Sequence, residues 1–280
     1  ERKARRAPWR TLAISADRIE PRTAGGKPEM RLNPKVLWPN ALLAGPCVLC
    51  DQPSAAPGGT ELCRSCSAAL PYNRLCCRRC ALPLTAAESP GTTPTALCEP
   101  CLRNPPSYAL TLAPLLYEGF PRLWIRRLKQ DFGLVEGRLL GNLMVEAFLE
   151  RQAGPCSGQL PLPDVLVPVP LAASRLIRRG HNQSISLAKP LSHRLGIPLR
   201  RRAVQRTRRT ATQRGLGRDL RLSNLEGAFR SRPWQGERIA IVDDVMTTGA
   251  TVSRLATTLL AAGAGEVLVF CATRTAPAQS

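Results

Sequence analysis

The stretch IAIVDDVMTTGAT, from Ile239 to Thr251, limits the possible fold more than any other part of the chain. Apolar residues Ile239 to Val242 run straight into two adjacent carboxylates, Asp243 and Asp244, and then into a turn rich in hydroxyls around Gly249. A buried strand that ends in charge has to end at the rim of a sheet. The pattern therefore predicts a strand over Ile239 to Val242 with the acidic pair at its tip, then a helix from Thr251 to Ala262 stopped by Gly263, then a strand from Glu266 to Cys271. Upstream, YALTLAPLLYEG predicts one or two strands, DVLVPVP from Asp164 a short buried strand, and RAVQRT a possible strand. Leu123, Leu128, Phe132, Leu139, Leu143 and Phe148 recur at helical spacing, with Gly133 and Gly137 predicting a break between two helices. Asn182 to Leu195 predicts a helix bent or shortened at Pro190. Strand and helix alternation with continuous apolar strands implies an α/β fold with a parallel sheet and helices on both faces. Ligands of such sheets sit at the carboxyl ends of the strands, where Asp243 and Asp244 emerge.

The turn from Thr247 to Thr251 joins a strand end to a helix start, so backbone N–H groups and the helix dipole converge on one point suited to an anion. Gly249 lets the backbone approach closely, and the hydroxyls of Thr247, Thr248 and Thr251 add donors for phosphate oxygens. Two carboxylates repel a phosphate, so they suit another part of the same ligand. The vicinal hydroxyls of a ribose can each donate to a carboxylate oxygen.

Nine of the eleven cysteines fall between Cys47 and Cys101 as four C-x-x-C pairs with one extra thiol. The pairs are Cys47 with Cys50, Cys63 with Cys66, Cys77 with Cys80, and Cys98 with Cys101. Two intervening residues let a tight turn aim both sulfurs at one metal ion about 2.3 Å away, and two such knuckles complete a tetrahedral site. Eight cysteines make two such sites, expected to be structural zinc. Iron–sulfur ligation is the rival for soft thiolates, and a disulfide framework is the bland alternative, at odds with the lack of an export signal. Sequential pairing of the knuckles is expected, with interleaved pairing as the alternative. Cys76 is a spare beside better-spaced neighbours, Cys156 a loop thiol, and Cys271 a small buried residue.

A formal charge of +20 favours anionic partners such as nucleic acid or phosphorylated small molecules, although a G+C-rich genome also supplies arginine without functional meaning. Residues 1 to 35 read as a basic, disordered extension without periodicity, and Met30 is a candidate for the true start. No run approaches the ~18 apolar residues of a membrane span, and no signal-peptide core is present, which predicts a soluble, cytoplasmic protein. The composition change after Cys101, with Asn104, Pro105 and Pro106 as a joint, divides the rest into a cysteine-rich module over 36 to 104 and an α/β domain over 105 to 280.

The acidic pair followed by Thr-Thr-Gly-Ala-Thr resembles the signature of type I phosphoribosyltransferases. Together with VPVPL at Val167, RRGHNQS at Arg178, RTRRTATQRGL at Arg206, RLSNLEGAF at Arg221 and the knuckles in front, it resembles the ComF family of bacterial competence proteins over about Val36 to Ala276. That resemblance implies a double zinc ribbon followed by a phosphoribosyltransferase domain, and for some members a part in DNA uptake during natural transformation. It implies phosphoribosyl pyrophosphate, with Mg²⁺, as ligand. The loop of Thr247, Thr248, Gly249, Ala250 and Thr251 would hold the 5′-phosphate, and Asp243 and Asp244 the ribose hydroxyls. The turn of Val169, Pro170 and Leu171, with Arg175, Arg179, Asn182 and Gln183 nearby, would be the pyrophosphate loop. Arg206 to Arg218 would be the loop that closes over substrate, with Arg209 and Arg214 as catalytic cations and Gln213 as a contact. Eight arginines between Arg200 and Arg218 make that segment unfit for a core. His181 stands where the family often has an aromatic residue and reads as a polar helix-start residue rather than a base.

As an enzyme, such a protein displaces Mg²⁺-bound pyrophosphate from C1 of the ribose, mainly by orienting the reactants and neutralising charge. Two other readings use the same residues: a non-catalytic accessory protein for single-stranded DNA and competence partners, and a ribonucleotide-sensing regulator.

Overall fold

The computed structural model describes residues 46–54, 61–85, 96–130, 133–153, 160–207 and 228–276. The expected extension over 1–35, Met30, Phe132, Cys156, Arg209, Gln213 and Arg214 lie outside the described residues.

Among the described residues, five strands form a parallel sheet. In chain order β1 (Leu110–Leu112), β2 (Leu115–Leu116), β3 (Val165–Pro168), β6 (Arg238–Met246) and β7 (Glu266–Arg274) take part, arranged β1-β7-β6-β3 with β2 also on β7. The register is continuous where it matters: Val165 to Pro168 lie beside Ile239 to Val242, which lie beside Val267 to Phe270. A separate antiparallel ribbon pairs β4 (Val204–Arg206) with β5 (Phe229–Ser231). The helices are α1 (Arg64–Ala68), α2 (Glu99–Arg103), α3 (Gly119–Gln130), α4 (Leu134–Ala153), α5 (Ala173–Arg179), α6 (Gln183–Leu195) and α7 (Ala250–Ala261).

Strand alternation sorts the core into two halves. Leu166, Ala240, Val242, Leu268 and Phe270 face α3, α4 and α6, packing with Ile125, Leu140, Phe148, Leu187 and Leu191. Val165, Val167, Ile239, Ile241, Val267 and Val269 face the other way, onto Val252, Leu255 and Leu259 of α7 and Phe229 of the ribbon. Both faces are thus covered, which is why these strands are apolar without interruption.

Two sequence expectations need correction. The strand expected to end at Val242 continues to Met246, because Val245 and Met246 still pair with Thr273 and Arg274, and β7 likewise extends beyond Cys271. The acidic pair therefore lies within β6. The break between α3 and α4 does fall at Gly133, but Gly137 is inside α4. Its role is close approach: a Cβ there would lie 2.8 Å from Ser186 Cβ, and one at Gly141, a turn later, 2.7 Å from Pro190 Cγ and 2.8 Å from the Leu187 carbonyl. These two glycines let α6 settle against α4, and Pro190 sits inside an α6 that runs unshortened to Leu195.

Candidate functional site

The carboxyl end of β6 carries the acidic pair, and each acid is held differently. Asp244 is buried, and its Oδ2 is 2.5 Å from Nζ of Lys129, near the end of α3. Asp243 Oδ1 accepts from the Asp244 amide at 2.9 Å and from Ser184 Oγ, in the first turn of α6, at 3.2 Å. Burial, and then the charge of Asp244, push the Asp243 carboxyl well above the usual carboxylate range. Asp244 thus already has a cationic partner, while the charge of Asp243 is disfavoured by burial and by its neighbour.

After Met246 the chain turns through exposed Thr247 and Thr248 into Gly249, which is the N-cap of α7 at φ +77°. That left-handed backbone favours glycine, and space demands it too, since a Cβ would lie 2.8 Å from Met246 Cε and 3.2 Å from the Tyr108 hydroxyl. Glycine supplies no capping side chain, so the first amides of a helix twelve residues long point at the turn, where an anion can take them up. Ala250 and Thr251 open the helix, and the Ala250 amide reaches Thr248 Oγ1 at 3.4 Å.

Beside this, β3 delivers the turn of Val169, Pro170 and Leu171. The Val169 amide donates to the Val242 carbonyl at 2.9 Å, and the Val169 carbonyl accepts from Asn182 Nδ2 at 3.0 Å. Asn182 caps α6 as well, its Oδ1 accepting from the Ser184 amide. One side chain thus pins the end of β3 to the start of the helix that carries Ser184. Buried Gln183 accepts from Arg179 at 3.3 Å. His181 bridges the Arg179 and Leu128 carbonyls at 2.9 and 2.7 Å, a structural place that fits a helix-start residue. Arg179 and Arg206 are both lowered, first by burial. Asp244 opposes that at Arg179, as Asp243 does at Arg206, and neighbouring Arg175 depresses both further. Arg179 and Arg206 therefore lie in the field of the acidic pair, with Arg175 beside them.

The structure so gathers Asp243, Asp244, the 247–251 turn, Val169 to Leu171, Arg175, Arg179, Asn182 and Gln183 at one end of the sheet. Arg209, Gln213 and Arg214 fall in 208–227, between the two strands of the ribbon. Sequence reasoning missed Lys129, Ser184 and Tyr108. Lys129 is one of several cations in RRLKQ, and only the packing of α3 singles it out.

The cysteines form two groups of four, Cys47, Cys50, Cys63 and Cys66, and Cys77, Cys80, Cys98 and Cys101, with all ligand atoms of a group within 4.8 Å of one another. The knuckles pair sequentially. The two sites repeat one turn: Asp51 and Ala81, each just after the second cysteine, have φ of +58° and +53°, and their amides donate to the Cys47 and Cys77 carbonyls at 2.9 and 2.8 Å. Sulfur separations of 3.6 Å (Cys50 to Cys63) and 3.5 Å (Cys80 to Cys98) are too long for disulfides, but close to the edge of about 3.8 Å of a tetrahedron with ~2.3 Å metal–sulfur bonds. Crowding makes a cation welcome: the Cys80 thiol hydrogen-bonds and so holds the Cys77 thiol down at about 4, while neighbouring thiols push Cys66 up to about 12. The groups thus fit a metal. Cys76 stands outside both, with Arg151 Nη2 3.9 Å from its sulfur, and Cys271 is fully buried in the core.

A parallel sheet whose inner strand carries an acidic pair into a glycine-opened helix defines a mixed α/β protein, here joined to two four-cysteine sites. The chain belongs to the ComF family: it is 39% identical over 242 residues to the DNA utilization protein YhgH of Escherichia coli (strain K12), a match that takes in 82% of this chain and 97% of that protein. It is 34% identical over 177 residues to Competence protein F of Haemophilus influenzae, covering 62% of this chain and 76% of the relative. Among solved structures, a glutamine phosphoribosylpyrophosphate amidotransferase from B. subtilis complexed with ADP and GMP aligns with 49% of this chain and 26% of its own, at 23% identity and a TM-score of 0.32. No family model matches the chain. Among the described residues no helix is long and apolar enough to cross a membrane.

Proposed function

We propose that the protein binds phosphoribosyl pyrophosphate at the carboxyl end of β6, as a ComF-family protein acting in DNA utilization or uptake. The observation that carries this reading is the spacing of Asp243 and Asp244 from the left-handed Gly249 turn that opens α7. In this reading the amides of that turn and the hydroxyls of Thr247, Thr248 and Thr251 take the 5′-phosphate. Asp243 and Asp244 accept from the ribose hydroxyls. Lys129 offsets the Asp244 charge that would otherwise repel the phosphates. Arg175, Arg179 and Arg206 serve the pyrophosphate, which Mg²⁺ would accompany and help to neutralise; the roles proposed for Arg209, Gln213 and Arg214 fall on 208–227, outside the described residues. Ser184 and Asn182 hold the site's two halves in place. In this reading the four-cysteine sites hold structural zinc, contributing rigidity and no chemistry; metal analysis should find two zinc ions per chain, and iron in their place would contradict it. In this reading the chain divides after residues 35 and 104, with the cysteine-rich segment over 36–104 and the α/β domain over 105–280.

If the protein is a transferase, its residues orient C1 for attack and stabilise the departing pyrophosphate. Pyrophosphate release, measured across free nucleobases, separates transfer from ligand sensing. Binding itself is read by a thermal shift: phosphoribosyl pyrophosphate with Mg²⁺ raises the melting temperature of the wild type and leaves Asp243→Ala, Asp244→Ala unmoved. A flat wild-type response overturns the reading. One observation favours a second partner. Arg122, Arg126 and Arg127 line the exposed side of α3 beside half-exposed Phe120, a surface suited to a single-stranded polyanion.

A further inference from the structure

We propose that Arg274 is a positioning residue that ties the second four-cysteine site to the start of the phosphate loop, so that the state of that site and the geometry of the loop are linked. The proposal rests on reading the 247–251 turn as the phosphate site.

Arg274 ends β7 and is only 5% exposed. A guanidinium buried this deeply needs partners, and its Nε and Nη1 donate chiefly to backbone carbonyls, with the Thr275 hydroxyl as a further acceptor. Nε donates to the Cys80 carbonyl at 3.0 Å. Nη1 donates to the Met246 carbonyl at 2.9 Å, to the Thr247 carbonyl, and to the Thr275 carbonyl at 3.0 Å. One planar fork thus spans a metal knuckle and the first residue of the loop. Because its donors are rigidly spaced, moving the Cys80 carbonyl moves or releases Thr247. The backbone gives the fork a fixed base: Arg274 pairs with Met246 across the sheet, and its carbonyl accepts from the Tyr117 amide at 2.8 Å.

A second contact runs the same way. Tyr108 is buried in the core cluster that contains Cys77, Cys80, Cys98 and Cys101, and its hydroxyl lies 3.2 Å from where a Cβ on Gly249 would be. The second site is thus linked to the Thr247 end of the turn through Arg274, and it shares a core cluster with the tyrosine that borders Gly249. Cys47 of the first site packs in the other core cluster, on the far face of the sheet. The two sites are alike in their ligands and differ in this coupling, so the first serves as an internal control.

Hydrogen exchange on the full chain as purified tests this without any ligand. In Arg274→Gln and in Cys98→Ser, the peptide covering residues 245–251 should exchange faster by about five-fold or more, while the peptide covering 239–242 keeps its protection. Arg274→Lys, which keeps the charge without the fork, should recover only part of the effect. Cys50→Ser, which breaks the first site, should leave the 245–251 peptide as in the wild type. If Cys98→Ser loses protection throughout, the two Arg274 variants decide. The proposal is overturned if Arg274→Gln leaves the loop unchanged, or if Cys50→Ser loosens it as much as Cys98→Ser does. A parallel titration with phosphoribosyl pyrophosphate and Mg²⁺ should weaken in Arg274→Gln. No wild-type binding in that arm refutes the functional reading, while the exchange arm still decides the coupling.

Discussion

Asp243 shows at the scale of one residue how function can oppose stability. Its carboxyl is raised by burial and by Asp244, so between the unfolded value of about 4 and its raised folded value the native state holds a proton that the unfolded chain has lost. Stability attributable to this group therefore falls as pH rises through that window. Asp243→Asn should melt higher than the wild type at neutral pH, with the gap closing below about pH 4, and should lose ligand binding; thermal melts across pH check both. An Asn variant that melts lower at pH 7 would show that the carboxylate is a structural asset instead. Lys129 predicts the opposite sign. Removing the partner of a buried acid leaves an uncompensated charge, so Lys129→Met should destabilise by on the order of 3 kcal/mol in denaturant unfolding. The acids were legible in the sequence because adjacent carboxylates after an apolar run are conspicuous. Lys129 was not, because its partner stands more than a hundred residues away and only the packing of α3 brings the two together.

Elements were legible where a local pattern and the tertiary environment agree. The apolar runs at Val165 and Ile239 are strands because both faces of the sheet are covered, and Asn182 caps α6 as its residue type suggests. Strand ends were misplaced where charged and hydroxyl residues interrupt the apolar run: Asp243, Val245 and Met246 pair with Cys271, Thr273 and Arg274, so the ladder continues past the point where the pattern stops. Gly137 misled for a related reason. A glycine in a helix looks like a break, yet here it and Gly141 make room for α6, a contact set by a partner far along the chain. Gly141→Leu should therefore push α6 away from α4 and destabilise by about 2 kcal/mol or more, measured by chemical denaturation. A neutral result would mean that the two helices are not in close contact at Pro190.

The cysteine module, read from spacing as a separate unit, shares its apolar residues with the α/β part once the whole molecule is considered. Cys47, Leu62 and Leu70 belong to the core on the α4 and α6 face, while Cys77, Cys80, Cys98 and Cys101 belong to the core on the α7 face. Sequence spacing could show the ligands but not this, because burial against a sheet leaves no periodic mark in short loops. Removal of metal by a chelator should accordingly lower the melting temperature of the whole protein in one transition rather than melt a small module alone, as calorimetric scans with and without chelator will show. The same joining links the second thiolate site, through Arg274, to the carbonyl of Thr247 at the turn that opens α7. The account as a whole depends on what the rim of β6 holds. Isothermal titration of the metal-loaded protein with phosphoribosyl pyrophosphate and Mg²⁺ should give saturable binding in the wild type and none in a folded Asp243→Ala, Asp244→Ala variant; equal binding in both, or none in either, would contradict it.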